Sequence, residues 1–77
     1  MKIYAQSREG IYDFDSVYID TNNRTGSWFG DGISAVTVDY YVHNIGIYKD
    51  KARAKEVIEE IVEAYKNNES VYYMPAE

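Results

Sequence analysis

Seventy-seven residues are enough for one domain with one core, and at this size the core only just offsets an ordering cost of roughly 1.5 kcal/mol per residue. The absence of cysteine excludes disulfide staples and thiolate metal sites. Thirteen acidic residues against eight basic ones argue against non-specific nucleic-acid binding and permit a basic partner, or simply keep the chain soluble.

In chain order, Met1 to Gln6 alternates, with Ile3 and Ala5 on one side and Lys2, Tyr4 and Gln6 on the other, the pattern of a half-buried strand. This N-terminus turns polar too early for a signal peptide, and there is no run of 18 apolar residues, so a cytoplasmic protein without membrane contact is expected. Ser7 to Gly10 reads as a turn. Ile11 to Asp20 contains a second strand beginning near Ser16. Thr21 to Gly26, TNNRTG, is the strongest turn signal and is predicted as a hairpin tip. Ser27 to Phe29 follows as a short strand, and Gly30-Asp31-Gly32 as a tight connection.

Ile33 to Val42 is predicted as the longest strand, with Val36, Val38, Tyr40 and Val42 on one face and Ala35, Thr37, Asp39, Tyr41 and His43 on the other. The apolar phase then shifts to Ile45 and Ile47, which requires a bulge or bend near Asn44 or Gly46. From about Lys51 to Asn67, Ala54, Val57, Ile58, Ile61, Val62 and Tyr65 form one stripe at helical spacing, with Asp50 as N-cap and Asn67 and Asn68 as an αL-tolerant stop. Val71 to Met74 is a last short strand, at an edge or an end because Pro75 cannot donate to a ladder.

The order implies a single α+β domain over residues 1–77, a two-layer sandwich in which one amphipathic helix near the C-terminus covers an antiparallel sheet of four to five short strands. A helix about 10 Å wide covers only two or so strands spaced about 4.8 Å apart. Part of the sheet is thus expected to stay uncovered and to pack against a second copy, as a homodimer, or another partner through Trp28, Tyr40 or Tyr41. Twelve aromatic residues, 16% of the chain, suit such a surface.

Two charged surfaces are candidates for binding. Glu56, Glu59, Glu60 and Glu63 line the helix at spacings of three and four, a row that either is a solvated face or imitates nucleic-acid phosphates toward a basic groove. Lys49, Lys51, Arg53 and Lys55 gather at the helix N-terminus, where the dipole already favours an anion. Asp13-Phe14-Asp15 is only the start of a metal shell, and no metal or cofactor is expected. Asp39 and His43, on one strand face but roughly 13 Å apart at about 3.3 Å per residue, are too far apart for an acid/base pair. With no nucleophile and base arrangement, P-loop or dinucleotide fingerprint, an enzyme is not expected.

The opening MKIYAQ, the segment IGIYKDKARAKEVIEEIVEAYKNN and the closing VYYMP resemble small proteins encoded in phages and prophages of Gram-positive bacteria, over Met1 to Gln6 and Ile47 to Pro75. The middle, including TNNRTGSWFGDG, matches no fixed motif, and Asp50 with Lys51 and Arg53 departs from the usual Ser or Thr cap followed by acids. The resemblance implies a phage accessory protein with no chemistry to transfer residue by residue. The leading expectation is an anti-CRISPR-like inhibitor that binds a host defence protein through the acidic face without contacting nucleic acid. Alternatives are an anti-defence protein that sequesters a nucleotide signal, with tyrosines stacking and the Lys49 to Lys55 cluster holding phosphates, and a structural homo-oligomer without ligand.

Overall fold

A computed structural model describes residues 1–21 and 31–77. The chain runs β1 (Lys2–Tyr4), β2 (Ile11–Asp13), a 3-10 turn (Phe14–Ser16), β3 (Val17–Asp20), β4 (Asp31–Thr37), β5 (Val42–Tyr48), α1 (Lys51–Lys66) and β6 (Val71–Tyr73). The fold is α+β with a single helix among the described residues. TNNRTG beyond Thr21, the Ser27 to Phe29 strand and Trp28 lie outside the described residues.

The single antiparallel sheet expected from sequence is replaced by two three-stranded sheets, ordered β2-β1-β6 and β3-β4-β5. The first is mixed: β2 runs antiparallel to β1, whereas β6 returns parallel to it with Lys2 opposite Val71. The second is wholly antiparallel. The split occurs at the 3-10 turn, where the Asp13 carboxylate accepts from the Asp15 backbone amide at 3.1 Å and turns the chain out of the first sheet toward the second. Dividing the strands lets one helix serve both layers. Ile3 from the first sheet and Met74 directly after β6, Ile33, Ala35, Ile45 and Tyr48 from the second sheet, and Ala54, Val57 and Ile61 from α1 share one buried core.

The long strand predicted for Ile33 to Val42 is also divided. Four residues, Val38 to Tyr41, separate β4 from β5, and the Thr37–Tyr41 bond encloses three of them as a loop: the Tyr40 amide donates to the Thr37 carbonyl at 2.9 Å, and the Thr37 amide to the Tyr41 carbonyl at 3.0 Å. The core face of β4 is therefore Ile33 and Ala35, each fully buried, while Val38 and Tyr40 from the opposite expected face are in solvent. Asp31 and Gly32, read from sequence as part of a tight connection, instead open β4 opposite Tyr48 and Ile47.

The phase shift in β5 has the predicted cause. Ile33 pairs with Gly46 and Ser34 with Asn44, which leaves Ile45 as the extra residue of a bulge and turns it into the core. Gly46 is needed there because a Cβ would lie 2.8 Å from the Tyr48 ring and 3.0 Å from Met74 Cε. Ile47, which the sequence pattern grouped with Ile45, is 38% exposed.

The helix ends follow their caps. Asp50 Oδ1 accepts from the Arg53 amide at 2.8 Å. At the other end Asn68 adopts φ 58°, and bonds from its amide to the Tyr65 carbonyl and from the Glu69 amide to the Ala64 carbonyl complete a Schellman pattern. The predicted stripe is graded: Ala54, Val57 and Ile61 are buried, Ile58 is half-buried, and Val62 and Tyr65 stay exposed. Tyr65 stacks on Phe14 with 4.9 Å between centroids, which ties α1 to the 3-10 turn.

Candidate binding surfaces

The β4–β5 hairpin carries the most exposed apolar side chains among the described residues. Val38 is 80% exposed, Tyr40 87% and Tyr41 68%. Tyr40 has φ 66°, the left-handed position that glycine usually fills in a three-residue hairpin loop. Thr37 braces the loop through its hydroxyl, which accepts from the Tyr41 amide at 3.2 Å. Tyr40 and Tyr41 were expected on an uncovered sheet face and instead occupy a hairpin tip. Beside them, the antiparallel register sets Tyr18 across from Val36, and a groove of about 690 Å³ runs from there to the 3-10 turn, lined by Asp15, Tyr18, Val36, Thr37, Val38 and Tyr40 among others.

Three of the four glutamates on the acidic face of α1 have an ion-pair partner within the molecule, while Glu56 and Glu63 stay mostly exposed. Arg53 lies 3.2 Å from Glu60 and 3.7 Å from Glu56, and Lys66 lies 3.9 Å from Glu63. The Tyr72 hydroxyl donates to Glu60 at 2.8 Å. Of the four glutamates, Glu59 alone makes no ion pair among the described residues.

The basic cluster does not converge. At about 100° per residue, Lys51 and Lys55 share a face of α1, while Arg53 points roughly 200° away from Lys51. There Arg53 Nε donates to Glu77 at 2.7 Å, and its guanidinium lies 5.9 Å from the centre of the Tyr48 ring. The Asp50 carboxylate already caps the helix N-terminus, so an incoming anion would meet a negative charge at that position.

Sequence reasoning missed a second aromatic cluster. Arg8 lies 5.2 Å from the Tyr4 ring centre and 5.6 Å from that of Tyr73, and Arg8 Nη1 donates to the Ala5 carbonyl at 2.9 Å. The two rings are 5.7 Å apart, in direct contact. Tyr73 reaches this place only through the parallel pairing of β6 with β1, which no local pattern announces.

The remaining candidates have structural roles. Asp13 pairs with Lys2 at 3.4 Å; the Asp15 amide and then Lys2 hold its carboxyl below the ordinary carboxylate value. No cluster of metal-ligating side chains occurs among the described residues, and no described helix is long and apolar enough to cross a membrane. Asp39 and His43 do not share a strand face: Asp39 is in the hairpin loop, and His43 on β5 packs against Tyr12 at 5.3 Å between ring centres. Comparison with protein-family models, with curated proteins and with solved structures finds no match in any of the three.

Proposed function

We propose that this chain acts by binding, as a stoichiometric protein ligand whose main contact is the hairpin Val38 to Tyr41. The observation that carries this reading is the exposure of Val38, Tyr40 and Tyr41 on one short loop, with a bulky residue held in the left-handed region. Large exposed aromatic groups on a braced loop suit interface anchors, and an unfavourable backbone conformation is kept when the exposed side chain is useful. Asp39 within the loop and Asp15 beside it give the surface a negative character, which favours a basic partner.

The partner class that fits is a protein with a basic groove of the kind that holds nucleic acid, in which carboxylates and aromatic rings take the place of phosphates and bases. The resemblance of Met1 to Gln6 and Ile47 to Pro75 to phage-encoded proteins supports a host defence protein in this role, blocked without catalysis. The contact set differs from the helix row suggested by sequence. Arg53 and Lys66 pair with Glu56, Glu60 and Glu63, and the carboxylates at the hairpin surface are Asp39 in the loop and Asp15 beside it. Nucleotide sequestration has less support, because Arg53 is turned away from Lys51 and Lys55, and Tyr4 and Tyr73 leave no slot for a base between them.

The test is capture of host proteins on the immobilised chain, followed by displacement of nucleic acid from the captured protein. The expected result is retention that weakens with salt, falls about thirtyfold in the Tyr40→Ala/Tyr41→Ala variant as removal of a central anchor does, and competes with nucleic acid. Retention that is indifferent to both tyrosines, or no retained protein at all, would overturn the reading.

A further inference from the structure

The sheet β2-β1-β6 ends on β6. The Lys2 amide donates to the Ser70 carbonyl at 2.9 Å and the Met74 amide to the Tyr4 carbonyl at 3.0 Å, so the even-numbered residues of this segment face β1. By the alternation of a parallel ladder, the amides and carbonyls of Val71 and Tyr73 point out of the sheet. Among the described residues no bond reaches those groups. Both side chains are exposed, and the strand, VYY, carries none of the Lys, Pro or bulge devices that blunt an edge. At β5, by contrast, Gln6 occupies the outer side of the strand.

The two ends of this edge carry opposite charges. Arg8 sits at the Tyr73 end, over the Tyr4 and Tyr73 rings, and its guanidinium donates to the Tyr4 and Ala5 carbonyls. Glu69 lies at the other end, two residues before Val71, and is exposed. Neither Arg8 nor Glu69 has an ion pair among the described residues. A second β6 running antiparallel to the first matches both the backbone and the charges. Val71 of each copy stands opposite Tyr73 of the other and exchanges N–H···O=C bonds with it, while Tyr72 meets its own equivalent on the twofold axis. Val71 and Tyr73 become cross-strand neighbours on the outer face, and Glu69 of each copy is carried toward Arg8 of the other. A peptide of different sequence would find the same backbone groups but would have to reproduce the charges, which a second copy does by symmetry.

We propose that β6 is the edge through which two copies of this chain associate, pairing β6 with β6 antiparallel and joining the two β2-β1-β6 sheets into one continuous sheet, with an Arg8–Glu69 ion pair at each end of the junction. This goes beyond the proposed function and does not involve the Val38 to Tyr41 hairpin, which belongs to the other sheet.

The experiment is sedimentation equilibrium of the full chain at rising concentration, where a monomer–dimer equilibrium is expected with the dimer dominant at about 1 mM. Val71→Pro removes an outward amide at the first residue of an edge strand, a place where Pro leaves the ladder within the chain intact, and is expected to weaken association by at least about tenfold. Arg8→Glu and Glu69→Arg are each expected to weaken it by about tenfold, because each breaks both symmetry-related ion pairs and sets like charges together. The combined variant Arg8→Glu/Glu69→Arg is expected to regain the association of the parent chain. A monomer mass throughout, a dimer indifferent to Val71→Pro, or no recovery in the combined variant while its amide spectrum stays dispersed would overturn the proposal.

Discussion

At Tyr40 a left-handed backbone, φ 66°, coincides with a side chain that is 87% exposed. For a residue with a Cβ this region costs about 1–2 kcal/mol, and so exposed a ring recovers little of that by packing. Tyr40→Gly relieves the strain but enlarges the conformational freedom of the unfolded chain, which takes back roughly 0.4–1 kcal/mol. The expected outcome is a net gain of about 0.5–1 kcal/mol, read as a rise of a few degrees in thermal melting, together with loss of partner retention. A lower melting temperature would show that the tyrosine stabilises the fold. The same residue explains why the hairpin was not legible in the sequence. Three-residue loops are recognised by Gly or Asn at the left-handed position, and Thr37-Val38-Asp39-Tyr40-Tyr41-Val42 has neither and alternates like a strand. The aromatic surplus did single out Tyr40 and Tyr41 as surface residues, through an argument about sheet width that the divided sheets do not obey.

Among the elements, α1 was legible almost to the residue, because its signals are local: apolar spacing, an Asp cap and an Asn that tolerates the left-handed region. The bulge in β5 was legible for a related reason, since inserting one residue must move the apolar phase. The pairing of elements was not legible. The first sheet depends on β6 lying beside β1, and the seam between the sheets is bridged by one residue, Gln6. Gln6 closes that seam: its amide donates to the Ile45 carbonyl at 2.8 Å, while its side chain accepts from the Ile47 amide at 2.8 Å and donates to the Ile47 and Pro75 carbonyls at 3.1 Å each. The side chain thus acts toward β5 as a neighbouring strand would, and gathers the C-terminal segment as well. Gln6→Met keeps the length and removes these side-chain bonds. It is expected to cost about 1–3 kcal/mol, measured by urea unfolding, and an unchanged midpoint would mean that packing and the Gln6 backbone bond hold the seam without the side chain.

Across the whole molecule, the C-terminal segment is drawn onto the core by two tyrosines whose hydroxyls are hydrogen-bonded in the neutral form. The Tyr48 hydroxyl donates to the Pro75 carbonyl at 3.1 Å, and the Tyr72 hydroxyl donates to Glu60 at 2.8 Å. Burial, followed by the Glu77 charge, pushes Tyr48 up to about 12. Burial, followed by the bond to Glu60, raises Tyr72 further above the ordinary phenol value. In the unfolded chain both titrate near about 10. Since the folded state retains the protons that the unfolded state releases, the associated stability is fully present below about pH 10 and is lost as pH rises through the folded values. Ionised Tyr72 would also face the Glu60 carboxylate across a bond that has lost its proton. Melting temperature is therefore expected to fall steeply between about pH 10 and 12, and to fall less in the Tyr48→Phe/Tyr72→Phe variant, which has no phenol to ionise at either place. Equal slopes in the two proteins would mean that alkaline unfolding starts elsewhere and that the C-terminal segment is not where the fold first yields.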